Sequence, residues 1–147
     1  GSDNEELRLS AVNALIYAKD QRAAEYAKKM LSEDPDEYRD EYLRILINHC
    51  SESDMDLITK LLDSTLTDDR YEAGWHGITL DILKADDGLP DGMYRWIYEN
   101  SLCSCCRSNA AEVLISHGAF PDECLKECLH DCNTDIRELA EQELDKR

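Results

Sequence analysis

One short pattern occurs five times along the chain and constrains the fold more than any other feature. An arginine is followed three positions later by a small residue and, one further turn on, by a leucine. The pattern begins at Arg8, Arg39, Arg70, Arg107 and Arg137, at spacings of 31, 31, 37 and 30 residues. A period of this length is typical of arrays in which each unit is a pair of helices that buries its apolar face against the next unit.

The five copies of the pattern differ in how well they preserve it. The first, fourth and fifth are complete, with Ala11 and Leu15, Ala110 and Leu114, and Ala140 and Leu144. The second has Tyr42 in the small position, and the third has Ala73 but carries Gly77 where leucine is expected. A small residue at this place lets two helices approach closely. We therefore expect tight helix contacts at Ala11, Ala73, Ala110 and Ala140.

Each arginine lies near the start of a predicted helix, because apolar residues recur after it at helical spacing. These five helices span about 5–18, 36–49, 69–84, 105–117 and 133–145. A second helix is predicted between successive arginines, over about 20–31, 53–66, 90–102 and 121–130. Ser53 with Asp56 and Asn133 are candidate helix starts, and Gly118 is a candidate stop.

The alternation of helices predicts an all-α protein with the architecture of an α-α superhelix. A single domain over 1–147 would contain four helix pairs, over 4–34, 35–66, 67–102 and 103–132, and a C-terminal capping helix over 133–147. The chain has 6 glycines, 3 prolines and 1 phenylalanine. A β-sandwich or barrel would need more turn residues and more β-branched or aromatic runs.

The pattern resembles the HEAT repeat, in particular the short bacterial HEAT-like repeats related to those of phycobilisome lyases. The segment from Asp135 to Leu144 matches that unit best, with an acidic residue, an arginine, a small residue and a leucine in order. The resemblance implies that the arginines form a structural ladder with acidic residues of neighbouring units. It implies nothing about chemistry, because such arrays serve many unrelated functions. The ladder residues would be Arg8, Arg39, Arg70, Arg107 and Arg137.

The charge of the chain is strongly acidic. There are 16 basic and 33 acidic side chains, so the net charge is −17. An acidic surface repels phosphate groups, and we expect neither nucleic acid nor a membrane as a partner. The charge serves either solubility or the binding of a basic protein. With no export signal or long apolar run in the sequence, we expect a cytoplasmic monomer.

Seven cysteines are present, and six of them form two groups. Cys103, Cys105 and Cys106 begin one predicted helix, and Cys124, Cys128 and Cys132 follow at four-residue steps. Antiparallel packing of these helices would bring Cys128, His130 and Cys132 near the first group, where zinc or redox chemistry is one alternative. The other is simple packing, since cysteine is among the most buried residue types. We favour packing, and we expect no metal, no cofactor and no disulfide.

No catalytic signature is present, so we expect a non-enzymatic protein. The leading hypothesis is a protein-interaction scaffold whose second helices line a concave binding face. A second hypothesis is a small acidic inhibitor, such as an immunity protein against a basic toxin. A HEAT-like enzyme of the DNA-repair or lyase type is less favoured, because the chain is short and acidic. The candidate contact residues of the scaffold are Arg22, Lys29, Lys60, Tyr94, Arg95, Tyr98 and Glu127.

Overall fold

The regular secondary structure is helical throughout the part of the chain that is described. A computed structural model describes residues 2–18, 20–33, 38–66, 71–84 and 89–146, without the side chains of 2–3, 64–66 and 71–77. The helices are α1 (Ser2–Ile16), α2 (Gln21–Glu33), α3 (Arg39–Ile47), α4 (Met55–Leu66), α5 (Tyr71–Lys84), α6 (Asp91–Asn100), α7 (Ser104–Ser116), α8 (Asp122–Cys128) and α9 (Thr134–Leu144). The prediction of an all-α protein is confirmed.

Every predicted helix is present, and most ends lie within a few residues of the predicted ones. The start of α4 differs from the predicted start. A 3-10 turn over Glu52–Asp54 precedes it, and Asp54 accepts hydrogen bonds from the backbone N–H and the hydroxyl of Ser51 at 3.1 and 2.8 Å. The expected start at Ser53 and Asp56 was therefore wrong by two residues. Arg70 lies outside the described residues.

The end of α7 shows how glycine terminates a helix in this fold. Gly118 has a φ of 68°, in the left-handed region. Its N–H bonds to the carbonyl of Ile115 at 2.9 Å, and the next N–H, of Ala119, bonds to Leu114 at 2.8 Å. This pair of bonds is the Schellman arrangement, which satisfies carbonyls that the helix itself leaves open. The predicted stop at Gly118 is confirmed.

The helices contact one another in chain order. A continuous row is formed by α1, α3, α5, α7 and α9, in which each helix packs against the next member. The helices between them pack beside this row, most extensively α2 against α3, α6 against α7 and α8 against α9. Such order is consistent with stacked helix pairs in a superhelix.

The core runs along this row and is mainly aliphatic, with α3 contributing five buried residues between Tyr42 and Ile47. Ala110 and Ala140 are buried at 0% and 1% exposure, as the pattern predicts. Ala11 is exposed, so its predicted tight contact was wrong. The reason is its place: α1 packs on α3 through Val12, while Ala11 lies on another side of the helix. The side chain of Ala73 lies outside the description.

Among the described residues, no helix combines the length and the apolar character that crossing a bilayer requires.

Candidate functional site

The seven predicted contact residues all lie on the second helices of their pairs, but they are not equally accessible. Five of them are exposed: Arg22, Lys29, Lys60, Arg95 and Glu127. Tyr98 is half-buried, and only 2% of the Tyr94 surface is exposed to solvent. Tyr94 is therefore part of the core, and its assignment as a surface contact was wrong.

The aromatic segment of α6 is used for packing inside the protein. Tyr94 meets the His117 ring edge-on, with ring centroids 6.3 Å apart. The hydroxyl of Tyr98 lies 3.1 Å from Cys128 Sγ, and its ring packs edge-on against Phe120 at 4.9 Å. Burial, followed by the hydrogen bond with Cys128, raises the pKa of Tyr98. These contacts account for both tyrosines without a binding partner.

Two polar contacts tie α6 to elements on either side of it. The indole Nε1 of Trp96 donates to the carboxylate of Asp63 at 2.8 Å, which joins α6 to α4. The guanidinium of Arg95 donates to the carbonyl of Ala119 at 3.2 Å, just after α7. The side chain of Arg95 is exposed, but this hydrogen bond fixes its position. The sequence alone did not indicate the hydrogen bond.

Each of the four described repeated arginines contacts a neighbouring helix or turn, within its own unit for Arg39 and Arg107 and in an adjacent unit for Arg8 and Arg137. Arg39 donates to the carbonyl of Leu61 in α4 at 2.9 Å, and Arg107 pairs with Asp131 at 2.7 Å. Arg137 donates to the carbonyl of Asp131 at 2.7 Å and to that of Cys132 at 3.1 Å. The first arginine stands over the ring of Tyr38, with its Cζ 5.4 Å from the centroid. Main-chain carbonyls thus serve as partners of Arg39 and Arg137, where the resemblance implies carboxylates, whereas Arg107 pairs with a carboxylate of its own unit.

The turn after α8 is organised by Asp131. One carboxylate oxygen accepts from the N–H of Asn133 at 2.8 Å, and the other accepts from Arg107. Burial opposes ionisation here, but the hydrogen bonds from Asn133 and Arg107 prevail and lower the pKa of Asp131. Asn133 in turn caps α9 by accepting from the N–H of Asp135 at 2.8 Å, as predicted.

The cysteines do not assemble into a metal centre in the described part of the chain, where no three His, Cys, Asp or Glu side chains converge suitably. Cys106 and Cys128 are buried, while Cys105 and Cys132 are exposed. Burial raises the pKa of the Cys50 thiol to about 11, and it raises the pKa of Cys124 and Cys128 as well. Thiols of this kind are inert packing groups at neutral pH.

Sequence reasoning missed a groove where α1 meets α2. The groove has a volume of about 390 Å³ and is apolar apart from one ion pair. It is lined by Leu15, Ala18, Asp20, Arg22, Ala23 and Tyr26. The guanidinium of Arg22 donates two hydrogen bonds to the carboxylate of Asp20. These hydrogen bonds lower the pKa of Asp20 to about 2. The Tyr26 ring packs edge-on against Tyr42 at 6.0 Å, which fixes its position in the wall.

A second groove of about 430 Å³ crosses the C-terminal ends of α1, α3 and α5. Tyr17, which is 84% exposed, lines one side of it. Asn48 donates to the carbonyl of Ile16 at 2.8 Å, and Arg44 pairs with Asp81 at 2.8 Å across the floor. The two grooves lie on either side of the last turn of α1: Leu15 and Ala18 line the first groove, and Ile16 and Tyr17 line the second. We name this part of the molecule, residues 15–18 with Asp20, Arg22 and Tyr26, the α1–α2 corner.

Comparisons with protein-family models, with curated proteins and with solved structures find no match for this chain. The resemblance to HEAT repeats therefore rests on the repeated residues themselves.

Proposed function

We propose that the protein is a non-enzymatic interaction scaffold that binds a protein partner through the α1–α2 corner. The observation that carries the proposal is the apolar groove of about 390 Å³ where α1 meets α2; the exposed Tyr17 lines the second groove, on the other side of the end of α1. Of the predicted contact residues, Arg22 lines the first of these grooves. Tyrosine and arginine are the side chains that most often dominate protein interfaces.

The chemistry of the groove indicates what kind of segment would fit. Leu15, Ala18 and Ala23 offer an apolar floor to one inserted aliphatic or aromatic side chain of the partner. Tyr17 offers an exposed aromatic face, on which a cationic side chain is stabilised. Because the whole chain carries a charge of −17, long-range attraction favours a basic partner. The expected ligand is therefore a protein segment with an apolar anchor flanked by lysine or arginine.

A photo-crosslinking experiment tests this proposal. A photoreactive amino acid replaces Tyr17 in one variant and the exposed Lys126 of α8 in a matched control. Both variants are irradiated in an extract of the source cell. We expect a discrete crosslinked protein from position 17 and none of the same mass from position 126. Equal recovery of that protein from both positions would contradict the assignment of the corner.

A blocking substitution adds a second arm to the same experiment. Ala18→Arg places a long side chain in the half-buried wall of the groove and should abolish the crosslink from position 17. Leu102→Ala, at an exposed residue outside the groove, is the matched control and should leave it intact. Circular dichroism and melting of each variant verify that the fold is retained. Undiminished crosslinking by a folded Ala18→Arg protein would refute the groove as the binding site.

A second candidate, a small acidic inhibitor of a basic protein, is favoured by one specific observation. Glu127 and Glu99 act together, after burial, to raise the pKa of the Cys124 thiol. Glu99 of α6 and Glu127 of α8 are both exposed and both act on this thiol; we name them the α6–α8 face. A basic surface would meet this face favourably.

Salt dependence and charge neutralisation separate the two candidates. For the inhibitor, a double substitution of Glu99 and Glu127 to Gln should slow association with the crosslinked partner, and rising salt should do the same. The matched control replaces Glu138 and Glu141 of α9, which are also exposed. If the control variant binds as slowly as the test variant, the α6–α8 face has no particular role.

A further inference from the structure

Two cysteines three residues apart lie at the start of α7. Cys103 is the N-cap residue, with an extended backbone at φ −81° and ψ 112°, and Cys106 is the third residue of the helix. Together they form a C-x-x-C sequence at the positive end of a helix of 13 residues. The side chain of an N-cap residue turns back over the third helical residue. This geometry places the two thiols side by side.

The two thiols lie close together and differ in exposure. Cys103 is the N-cap residue and Cys106 the third residue of α7, so one helical turn separates the two side chains. Cys106 is buried at 3% exposure, whereas Cys103 is half-buried and open to solvent at the helix start. A disulfide requires Cα atoms about 4.4–6.8 Å apart, and helix geometry separates the Cα atoms of residues three positions apart by about 5 Å. Cys103 is therefore the thiol that can attack an external disulfide, and Cys106 is the thiol that is shielded from solvent.

The electrostatics separate the two sulfurs further. The backbone of Cys106, followed by its thiol, lowers the pKa of Cys103, although no full capping hydrogen bond reaches the sulfur. Burial, followed by the contact with Cys103, raises the pKa of Cys106 to about 11. Four thiols of the chain have a raised pKa, namely Cys50, Cys106, Cys124 and Cys128. Cys103 has a lowered one, and a thiolate is the reactive form.

We propose that Cys103 and Cys106 form a redox-active dithiol that undergoes exchange with neutral or cationic disulfides and closes reversibly to a Cys103–Cys106 disulfide. This goes beyond the scaffold function and does not depend on it. It also departs from the expectation that these thiols only pack. The restriction on charge follows from the net charge of −17, which repels an anionic disulfide.

The reaction has two steps. The Cys103 thiolate attacks one sulfur of the incoming disulfide RSSR; that S–S bond breaks, a bond from Cys103 Sγ to sulfur forms, and one RS⁻ leaves and takes a proton from water. Cys106 then loses its proton to water and attacks Cys103 Sγ. The mixed disulfide breaks, a second RS⁻ leaves, and the Cys103–Cys106 bond forms. Two protein thiols are oxidised and one external disulfide is reduced to two thiols.

The surroundings of the pair suit an approach from solvent. Leu102 immediately precedes Cys103 and is 82% exposed, so an incoming disulfide meets an apolar contact beside the attacking sulfur. The hydroxyl of Ser101 accepts a hydrogen bond from the backbone N–H of Cys103 at 3.2 Å. Cys105 points to solvent and is exposed. The buried sulfur is therefore reached through Cys103.

The test uses the full chain and the disulfide of 2-mercaptoethanol, which is neutral. After incubation and acid quenching, free thiols are alkylated and the peptides are sequenced by mass spectrometry. We expect Cys103 and Cys106 to be linked, with the mass of two hydrogen atoms lost. The five remaining cysteines should be alkylated. Recovery of Cys103 and Cys106 in the alkylated form, with the disulfide carried by Cys105 or Cys132, would overturn the proposal.

Variants assign the two roles. Cys106→Ala should stop the reaction at the first step and leave mercaptoethanol attached to Cys103, while Cys103→Ser should leave Cys106 reduced. Cys105→Ser is the matched control and should form the disulfide as the parent protein does. Loss of the disulfide in a folded Cys105→Ser protein would instead assign the pairing to Cys105 and overturn the proposal. The experiment on the parent protein identifies the paired cysteines by itself. The proposal is therefore still tested if one of the variants fails to fold.

Discussion

Gly118 ends α7 in a backbone conformation that most residues avoid. Its φ is 68°, and no atom lies within 4 Å of the place where a Cβ would stand. A substitution there meets no clash, so its effect on stability comes from the backbone alone. Gly118→Ala should lower the free energy of unfolding by about 1–2 kcal/mol, measured by urea denaturation. Gly118→Asn should cost less, since asparagine tolerates this region; equal losses for both variants would speak against the backbone explanation.

Asp131 should make the stability of the turn after α8 depend on pH. Its pKa is lowered in the folded protein, so the unfolded chain takes up the proton first as pH falls. The stabilisation is full above its ordinary value of 3.8 and is lost as pH falls through the folded pKa. Asp131→Asn removes the charge paired with Arg107 and should cost about 1–3 kcal/mol at pH 7.

The measurement for Asp131 is the difference in unfolding free energy between parent and Asn variant, followed from pH 7 to pH 3 by urea denaturation. We expect this difference to shrink below about pH 4, because the unfolded parent chain then takes up a proton at Asp131 and the Asn variant has no group that can do so. Taking the difference cancels the general effect of protonating an acidic chain. A gap that stays constant down to pH 3 would mean that the charge of Asp131 does not contribute.

Residue roles could be predicted from sequence where the signal is local. Asn133 comes two residues before the acidic Asp135, apolar residues recur after it at helical spacing, and it caps α9 as expected. Ser51 and Asp54 were missed because Ser53 offers a competing start two residues later, and the choice between them depends on a 3-10 turn. The pairing of Cys103 with Cys106 was missed for another reason. It depends on which of the two is the N-cap residue, and that boundary is uncertain by one or two residues in any sequence-based assignment.

At the scale of the element, the same position of the repeated pattern has different surroundings in different helices. Ala110 of α7 has 0% exposure, whereas the equivalent Ala11 of α1 is exposed. Ala110→Leu should overpack the contact of α7 with its neighbours and cost about 1–3 kcal/mol. Ala11→Leu is the matched control and should change stability by less than about 0.5 kcal/mol. Thermal or urea unfolding of both variants checks this, and equal effects would count against the difference in packing.

Helices were easier to predict than the surfaces that they bury. Periodicity found all nine described helices, because each carries an apolar stripe or a clear end signal. It misjudged α6, where Tyr94 was assigned to the surface. The helix has neighbours on several sides, so Met93, Tyr94, Trp96 and Ile97 are all buried. A single sequence does not reveal how many neighbours a helix has, and the accessible groove at the α1–α2 corner escaped prediction for the same reason.

At the scale of the whole molecule, charge governs which polymers can approach. The net charge of −17 opposes the phosphate backbone at any orientation of the protein. We expect no binding of duplex DNA at physiological salt. A gel-shift assay at micromolar protein checks this, and a shifted band that weakens as salt is raised would contradict it.

The order of helix contacts also determines how the molecule opens. Every extensive contact among the described helices joins elements that are neighbours or next neighbours along the chain. An end helix can therefore detach while the contacts at the other end remain, since no extensive contact among the described helices joins the two ends of the row. Amide hydrogens of α1 should exchange with deuterium sooner than those of α3, which packs against α1, α2, α4 and α5. Exchange mass spectrometry can follow each helix separately, and simultaneous exchange of both would indicate a single cooperative unit in place of progressive fraying.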